Sequence, residues 1–289
     1  MRQTRSRDRL RRWPAEFIGM IRYQLRYAAG ALAAVAAFAM GSPPVGAEPE
    51  PGAPADFVAL EDVDPSILQD IRYVTAHNFI GNPVDGYLAP ICVLTRPAAE
   101  ALARAQQDFL ERGYTLKVYD CYRPQRAVND FVAWAGDLAD QRMKSEFYPR
   151  VDKSTLFDDG YIAQRSGHSR GSTLDVTLVA LPAPDQASYT PGQPLVDCAA
   201  PQPLRFSDNS IDMGTGFDCF DTMAHTADPR VHGDAAKNRL LLTEGLEQQG
   251  FVNYDKEWWH FTYSPAGQGE PYPDTYFDFP VDRGSLSSG

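Results

Sequence analysis

Two short segments of the chain carry side chains that could share one metal ion. The first places His168 and Asp175 seven residues apart. One straight strand would separate them by roughly 23 Å and one helix by about 10 Å, whereas zinc ligands lie about 2 Å from their ion. We therefore predict that residues 169–172 bend the chain back, with Gly171 supplying the permissive backbone.

The residues after this bend have the alternation of a strand. Leu174, Val176 and Leu178 alternate with two polar residues, Asp175 and Thr177. This period of two predicts a strand that presents Asp175 from its polar face. A metal ion held by His168 and Asp175 would still need a third ligand from elsewhere.

The second segment is Glu257-Trp258-Trp259-His260-Phe261. A catalytic zinc usually takes three protein ligands, while a nearby carboxylate that does not touch the metal accepts a proton from water. This division of labour predicts His168, Asp175 and His260 as ligands of one zinc ion per chain, with Glu257 as the base. A His and an Asp seven residues apart are by themselves a weak indication of a metal site, because such residues more often have structural roles. Together with the Glu-x-x-His segment they are a much stronger indication.

The surrounding sequence predicts the elements that must position these residues. Proline near the start, glycine near the end and apolar residues at helical spacing indicate helices, and short alternating runs indicate strands. We predict helices over residues 97–112, 123–136 and 234–250, a strand over 115–119, and a strand pair over 251–263 that bears Glu257 and His260. Residues 78–88 form a turn-rich loop, residues 140–159 are loop and short helix, and residues 178–212 show little periodicity.

The amino terminus has the features of an export signal. Arginines are followed by an apolar run of about fourteen residues, too short to span a bilayer comfortably, and then by Val45-Gly46-Ala47, a small-residue cleavage pattern. We predict a signal peptide over residues 1–47, a flexible leader over 48–56 and one domain over 57–289. A retained membrane anchor is the alternative, and a start at Met20 would give a signal peptide of ordinary length.

Charge and export limit the partners of the mature chain. Removing the eight basic and two acidic residues of 1–47 from totals of 27 and 38 leaves 19 against 36, a net charge of −17. Such a field repels nucleic acid and anionic membrane surfaces. We therefore expect an exported protein, periplasmic or secreted, that acts on a small substrate with neither a nucleic-acid partner nor a stable membrane anchor.

Other reactive residues have simpler explanations. The four cysteines fall in the exported part, where oxidation is possible, and none has the Cys-x-x-Cys spacing of a zinc cluster or redox motif. Their types and spacing leave three full pairings open. No Gly-x-Ser-x-Gly elbow of a serine hydrolase is present, and surface or structural roles are expected for the remaining histidines, His77, His225 and His232.

The two metal-binding segments also carry a family resemblance. Ser-x-His-Ser-Arg-Gly-Ser-x-x-Asp, followed about eighty residues later by Glu-Trp-Trp-His, resembles the zinc D-alanyl-D-alanine dipeptidases, the peptidoglycan dipeptidases of the vancomycin-resistance type. The resemblance covers nearly all of residues 62–281. It continues through Arg72-Tyr73, Asn78-Phe79, residues 83–87, residues 120–124 and residues 276–280.

The resemblance implies a fold and an activity. The fold would be α+β, a single domain with a small, mainly antiparallel sheet that carries the zinc site and is flanked by helices, as in the dipeptidase, carboxypeptidase and hedgehog-like group. The activity would be zinc-dependent hydrolysis of the D-Ala-D-Ala dipeptide in peptidoglycan metabolism. Two alternatives stay open: a zinc D,D- or L,D-carboxypeptidase acting on longer stem peptides, and a non-catalytic zinc-stabilised binding module.

The resemblance also implies roles for further residues. Arg123, which alone would suggest a surface salt bridge, would face the developing oxyanion. Asp218 matches the position at which the family binds the substrate's free amine, and Gly216 departs from the larger residue expected beside it. The other residues implied in substrate binding are Ser166, Tyr87, Tyr73, Asp120 and Phe79.

Compared with the family, residues 178–212 contain an insertion of roughly two dozen residues. The insertion holds Cys198, and the family usually has no cysteine there. The resemblance therefore favours a disulfide from Cys198 to Cys219 on the body, which leaves Cys92 for Cys121.

Overall fold

A computed structural model describes residues 50–286, and these residues form one compact unit. The predicted signal peptide and the alternative start at Met20 lie outside the described residues. None of the helices between residues 50 and 286 combines the length and apolar character needed to cross a bilayer.

Strands and helices are interspersed along the chain. The strands are β1 (Phe57–Ala59), β2 (Leu68–Gln69), β3 (Val93–Thr95), β4 (Tyr114–Asp120), β5 (Thr173–Ala180), β6 (Phe251–Asn253) and β7 (His260–Tyr263). The α-helices are α1 (Leu60–Val63), α2 (Arg96–Glu111), α3 (Gln125–Gly136), α4 (Lys144–Phe147), α5 (Gly233–Glu247) and α6 (Arg283–Leu286). The long predicted helices and the predicted strands therefore form within a few residues of their expected bounds.

Five strands form the main sheet, in the order β2-β4-β5-β7-β6. Every pairing in it is antiparallel except β2 with β4. A separate antiparallel pair joins β1 to β3. The predicted α+β class with a mainly antiparallel sheet is thus confirmed.

The central strand β5 is more deeply buried than its alternating sequence predicts. Seven of its eight residues are buried, on both faces of the sheet. Leu174, Val176 and Leu178 belong to the apolar core. Asp175 and Thr177, on the opposite face, are buried as well, so the predicted polar face does not open to bulk solvent.

The segment predicted as a flexible leader makes specific contacts between residues 50 and 56. Ala53 is buried, and its backbone N–H donates to the carbonyl of Ser285. The carboxylate of Asp56 accepts a hydrogen bond from Tyr272. These contacts join the start of the domain to its end. Local composition does not predict contacts between residues so far apart in the sequence.

Two disulfides stabilise the described part of the chain, Cys92–Cys121 and Cys198–Cys219. This is the pairing that the family resemblance favours. Closing loops of 29 and 21 residues stabilises a folded state by roughly 3 to 4 kcal/mol each in the chain-entropy description.

Candidate functional site

The turn before β5 brings His168 back towards Asp175, as the sequence predicts. Residues Gly167–Arg170 form one turn of 3₁₀ helix, capped by the Ser166 side chain, which accepts from the backbone N–H of His168. Gly171 ends this turn with φ of 83° in the left-handed region. A β-carbon there would also lie 2.2 Å from the ring of Phe57, so both backbone conformation and space require glycine.

Strand register brings the other site residues beside Asp175. His260 is its direct partner on β7, and Asp120 is its partner on β4, after a bulge between Val118 and Asp120. Directly opposed residues on adjacent strands place their side chains on the same face, about 5 Å apart. The sheet alone therefore fixes two carboxylates and one imidazole on one surface, and the 3₁₀ turn adds His168.

Three donor atoms converge at this surface. His168 Nε2 lies 3.2 Å from His260 Nδ1, and Asp175 Oδ1 lies 3.3 Å and 3.2 Å from these two nitrogens. A tetrahedral ion with bonds of about 2.0 Å separates its ligand atoms by about 3.3 Å. His168, Asp175 and His260 are thus a group that could hold one metal ion.

Two observations favour a metal ion over a structural cluster. Asp175 Oδ1 is buried and accepts no hydrogen bond from any residue of the described chain, and such atoms are rare in native proteins. The Nδ1 atom of His168 lies 2.8 Å from the Cys121 carbonyl. Because a carbonyl can only accept, Nδ1 donates and the neutral ring presents its free lone pair at Nε2.

The local electrostatics favour the cation-binding forms of His168 and Asp175. Burial lowers the pKa of His168. Burial alone would favour a protonated Asp175, but the neighbouring His168 and His260 hold the pKa of that carboxyl below its usual range. Burial opposes protonation of His260, but the neighbouring carboxylates of Asp175 and Glu257 raise its pKa, so a metal ion would displace a proton there. A neutral imidazole beside an ionised carboxylate is the state that a divalent metal requires.

Glu257 stands beside this group without belonging to it. The sequence predicted Glu257 on a strand, but it lies in the turn between β6 and β7. Its Oε2 is 3.4 Å from His260 Nδ1. Burial raises the pKa of Glu257, against the opposing charge of His260. A carboxylate with a raised pKa at the edge of a candidate metal site has the properties of a general base.

Arg123 is fixed beside the three donor residues. Its guanidinium donates to Asp120 at 2.9 Å, lies 3.7 Å from Asp175, and is stacked over the rings of Tyr73 and Phe131. Its backbone N–H also donates to the carbonyl of His168. Ring contacts and ion pairs together fix the direction of this positive charge.

Asp218 is buried on another wall of the site. Its Oδ2 accepts a 2.8 Å hydrogen bond from Tyr73, and within the described chain it makes no ion pair. Burial, with the nearby charge of Asp175, raises the pKa of Asp218 well above its usual value. A cation entering here would meet a carboxyl group that makes no ion pair with any residue of the described chain.

A cavity of about 310 Å³ joins these groups, a volume at the small end of the range for ligand pockets. His168, Asp175, His260, Glu257, Arg123 and Asp218 all contribute to its wall. Of the other residues predicted in substrate binding, Tyr73, Phe79 and Ser166 line it too.

Two predicted substrate residues lie behind the cavity instead of in its wall. Asp120 is fully buried and binds Arg123, and Tyr87 donates a 2.5 Å hydrogen bond to Asp120. The polar atoms of both side chains form hydrogen bonds or ion pairs within the protein. They support Arg123 and do not reach the open space, because β4 directs Asp120 against Arg123 and His168.

Sequence reasoning missed several residues of the cavity wall. Arg165 and Phe220 adjoin residues that were identified, Ser166 and Cys219, so proximity in sequence was a usable signal. The other missed wall residues, Phe131, Tyr161 and Tyr254, had no sequence signal of this kind. His77 is buried between Arg72 and Glu146, away from this cavity, in the structural role that was expected.

Comparison with known proteins identifies the family. The family model described as D-Ala-D-Ala dipeptidase, Peptidase_M15, matches residues 53–184 and 204–282. A D-alanyl-D-alanine dipeptidase of Streptomyces coelicolor is 38% identical over 226 residues, which cover 78% of this chain and 98% of that protein. Proteins of the same name from Enterococcus faecium and Escherichia coli are 36% and 30% identical over 225 and 206 residues, or 78% and 71% of this chain and 98% and 83% of theirs. The chain therefore belongs to the D-Ala-D-Ala dipeptidase family of peptidases, Peptidase_M15.

Proposed function

We propose that this chain is a zinc-dependent dipeptidase that hydrolyses D-Ala-D-Ala outside the cytoplasm. The observation that carries the proposal is the set of three donor atoms, each 3.2 to 3.3 Å from the others, in a small cavity beside Glu257. His168, Asp175 and His260 would hold one zinc ion. Bound there, zinc would supply Lewis-acid polarisation of the peptide carbonyl and make water more acidic.

Glu257 is the general base and later the general acid. Its carboxylate takes a proton from the water that attacks the carbonyl carbon of the peptide bond. The same proton passes to the leaving amine as the carbon–nitrogen bond breaks, which releases two molecules of D-alanine. Burial suits this exchange, because a raised pKa makes the carboxylate a stronger base and lets the carboxyl group hold the proton until the amine leaves.

Arg123 stabilises the negative charge that develops on the carbonyl oxygen. Its guanidinium is held by Asp120 and by two aromatic rings, so it needs no reorganisation when the charge forms. A positioned donor of this kind is typically worth about 3 to 4 kcal/mol of transition-state stabilisation.

Asp218 binds the free amine of the substrate, with Tyr73 fixing its carboxylate. A buried carboxylate that makes no ion pair with residues 50–286 fits an ammonium group, which would restore its charge. This assignment favours a dipeptidase over the alternative carboxypeptidase, since the amine of a longer stem peptide would lie farther from the scissile bond. The placement of Glu257 and Arg123 beside the donor atoms favours an enzyme over a binding module.

The proposal extends to export and domain limits. Residues 1–47 would be a signal peptide cut after Ala47, residues 48–56 a leader whose Ala53 and Asp56 pack against the domain, and residues 57–289 the catalytic domain. Two disulfides in the described chain support maturation in an oxidising compartment.

One assay tests the activity. The purified protein should release D-alanine from D-Ala-D-Ala, should be much slower with L-Ala-L-Ala and a stem pentapeptide, and should lose activity to a chelator and regain it with Zn²⁺. Preferred cleavage of the pentapeptide would support the carboxypeptidase, and no cleavage despite stoichiometric zinc would support the binding module.

A further inference from the structure

The cavity wall contains three arginines, and one of them has no acidic partner among the described residues. Arg123 binds Asp120, and Arg170 makes a two-pronged pair with Glu270 at 2.8 and 2.7 Å. Arg165 makes no ion pair or hydrogen bond through its side chain with any residue between 50 and 286.

Arg165 is nevertheless held at the cavity. Its guanidinium lies 5.0 Å from the centre of the Tyr276 ring, a separation at which a cation is attracted to an aromatic face. It directly precedes Ser166, which lines the same cavity. The side chain is exposed, so incoming substrate can reach it.

The proposed substrate carries a charge that the assigned residues leave unpaired. The ammonium of a dipeptide has Asp218, and the reacting carbonyl has Arg123 and the metal-binding group. The terminal carboxylate, on the other side of the scissile bond, needs a cation or hydrogen-bond donors of its own. We propose that Arg165 binds the C-terminal carboxylate of the substrate, an inference that rests on the proposed function.

The test compares D-Ala-D-Ala with D-alanyl-D-alaninamide, which lacks the carboxylate charge. Arg165→Gln should raise KM for the free acid about 5-fold, the size expected of a solvent-accessible ion pair, and leave KM for the amide unchanged. Arg165→Lys should restore most of the loss. Arg112→Gln, at an exposed arginine outside the cavity, is the matched control and should change neither.

Equal KM changes for acid and amide, or none, would overturn the assignment of Arg165 while leaving the dipeptidase intact. A wild-type protein that cleaves neither compound would instead overturn the proposed function, and the carboxylate site with it.

A second inference comes from the segment that lies outside the family match. Residues 185–203 are absent from the matched ranges and contain Cys198. Its disulfide reaches Cys219, the residue directly after Asp218. The insertion is therefore covalently joined to the loop that carries the proposed amine-binding carboxylate.

Backbone contacts hold the same loop on both sides of Asp218. The N–H of Gly216 donates to the Cys198 carbonyl at 2.8 Å, and the N–H of Phe220 donates to the Phe147 carbonyl at 2.7 Å. Cys198 itself donates to the Glu146 carbonyl at 3.0 Å.

This support matters because Asp218 has an unfavourable backbone conformation. Its φ is 55°, the one positive value outside glycine in the described chain. Aspartate enters this region more readily than most non-glycine residues but still at a cost, so contacts on both sides of it stabilise the observed conformation. We infer that the Cys198–Cys219 disulfide is a positioning element for Asp218, so that recognition of the substrate amine depends on the insertion; this too rests on the proposed function.

The double variant Cys198→Ser/Cys219→Ser tests this role. KM for D-Ala-D-Ala should rise about 5- to 10-fold, with kcat nearly unchanged and zinc content intact. KM for the N-acetylated dipeptide, which has no ammonium, should stay constant. Tyr189→Leu is the control, because Tyr189 belongs to the insertion but stacks on His77; it should lower thermal stability without changing KM.

Wild-type KM in a double variant of reduced stability would make the disulfide merely structural and overturn the inference. If the double variant does not fold, Arg150→Gln is the second test, because it removes the ion pairs to Asp197 and Asp221 beside the disulfide. A KM rise of about 2-fold for the free dipeptide, and not for the N-acetylated one, would support the inference. The absence of that rise would overturn it. A wild-type protein without dipeptidase activity would contradict the proposed function instead.

Discussion

His168 Nε2 faces His260 Nδ1 at a distance of 3.2 Å, although the two residues are 92 positions apart in the sequence. The first nitrogen offers a lone pair because its ring donates through Nδ1 to the Cys121 carbonyl. Two imidazole nitrogens and Asp175 Oδ1 then form a nearly equilateral triangle of donors, which is the face that three ligands present to a four-coordinate ion.

We expect alanine at any of the three donors to remove the metal. The purified wild-type protein should contain one zinc per chain, whereas His168→Ala, Asp175→Ala and His260→Ala should each contain far less, because two ligands bind zinc weakly. Elemental analysis measures this directly. Stoichiometric zinc in the Asp175 variant would exclude that residue from the ligand set.

Glu257→Gln should separate metal binding from catalysis. The amide keeps the size of the side chain but cannot accept the proton, so turnover of D-Ala-D-Ala should fall about 100-fold or more while zinc content stays at one per chain. Parallel measurement of kcat and of bound metal tests both halves. A near-normal kcat would remove Glu257 from the role of base.

Asp218→Asn should weaken binding of the free dipeptide through loss of one charge. A hydrogen bond to a charged group is worth about 1.5 to 3 kcal/mol, so KM for D-Ala-D-Ala should rise roughly 10- to 100-fold. KM for N-acetyl-D-Ala-D-Ala should barely change. Tyr73→Phe, which removes only the 2.8 Å hydrogen bond to Asp218, should raise KM for D-Ala-D-Ala by a smaller factor. Equal cleavage of free and N-acetylated peptides by the wild-type protein would favour the carboxypeptidase.

The parts of this site that could be predicted from sequence are those with a local signature. Gly171 indicated the turn, alternation indicated β5, and the spacing of Glu257 and His260 indicated two different jobs. Each signal spans fewer than ten residues. The bend, the strand and the Glu-His pair follow from backbone geometry that such a window contains.

The remaining features depend on contacts between distant segments. Tyr73 meets Asp218 across 145 residues, and Tyr87 meets Asp120 across 33, so neither pairing has a local sequence signal. The resemblance implies that Tyr87 and Asp120 bind substrate, whereas in the structure the two residues bond to each other and do not line the cavity. Burial of Ala53 depends in the same way on Ser285 at the far end of the domain.

A buried charge cluster that the sequence did not reveal should make stability depend on pH. Asp208 pairs with Arg72 at 2.7 Å and with Lys117 at 2.5 Å. Burial opposes its charge, but these two cations hold the pKa of Asp208 well below its ordinary value. The carboxylate therefore stabilises the fold fully above its unfolded pKa of about 4, and this contribution is lost as the pH falls towards the folded pKa.

Asp208→Asn should accordingly cost roughly 3 kcal/mol of unfolding free energy at pH 7, and the difference from wild type should shrink below about pH 4. Chemical denaturation at several pH values between 3 and 7 measures it. Asp158→Asn, at an exposed carboxylate without an ion pair in the described chain, is the control and should be nearly neutral throughout. A constant difference at all pH values would mean that the charge of Asp208 is not what stabilises the cluster.

The turn that positions His168 should be intolerant of any side chain at Gly171. A β-carbon there meets the Phe57 ring at 2.2 Å, in addition to the strain of a positive φ. Gly113 has nearly the same φ, 82°, but open space around it. Gly113→Ala should therefore cost about 1 kcal/mol from the backbone alone, whereas Gly171→Ala should cost about 1 to 3 kcal/mol more from overpacking. Four aromatic rings enclose Phe57, so we expect the contact to displace the turn and Gly171→Ala also to lower zinc affinity, which Gly113→Ala should not. Equal losses of stability and unchanged zinc binding in both variants would contradict this account of the turn.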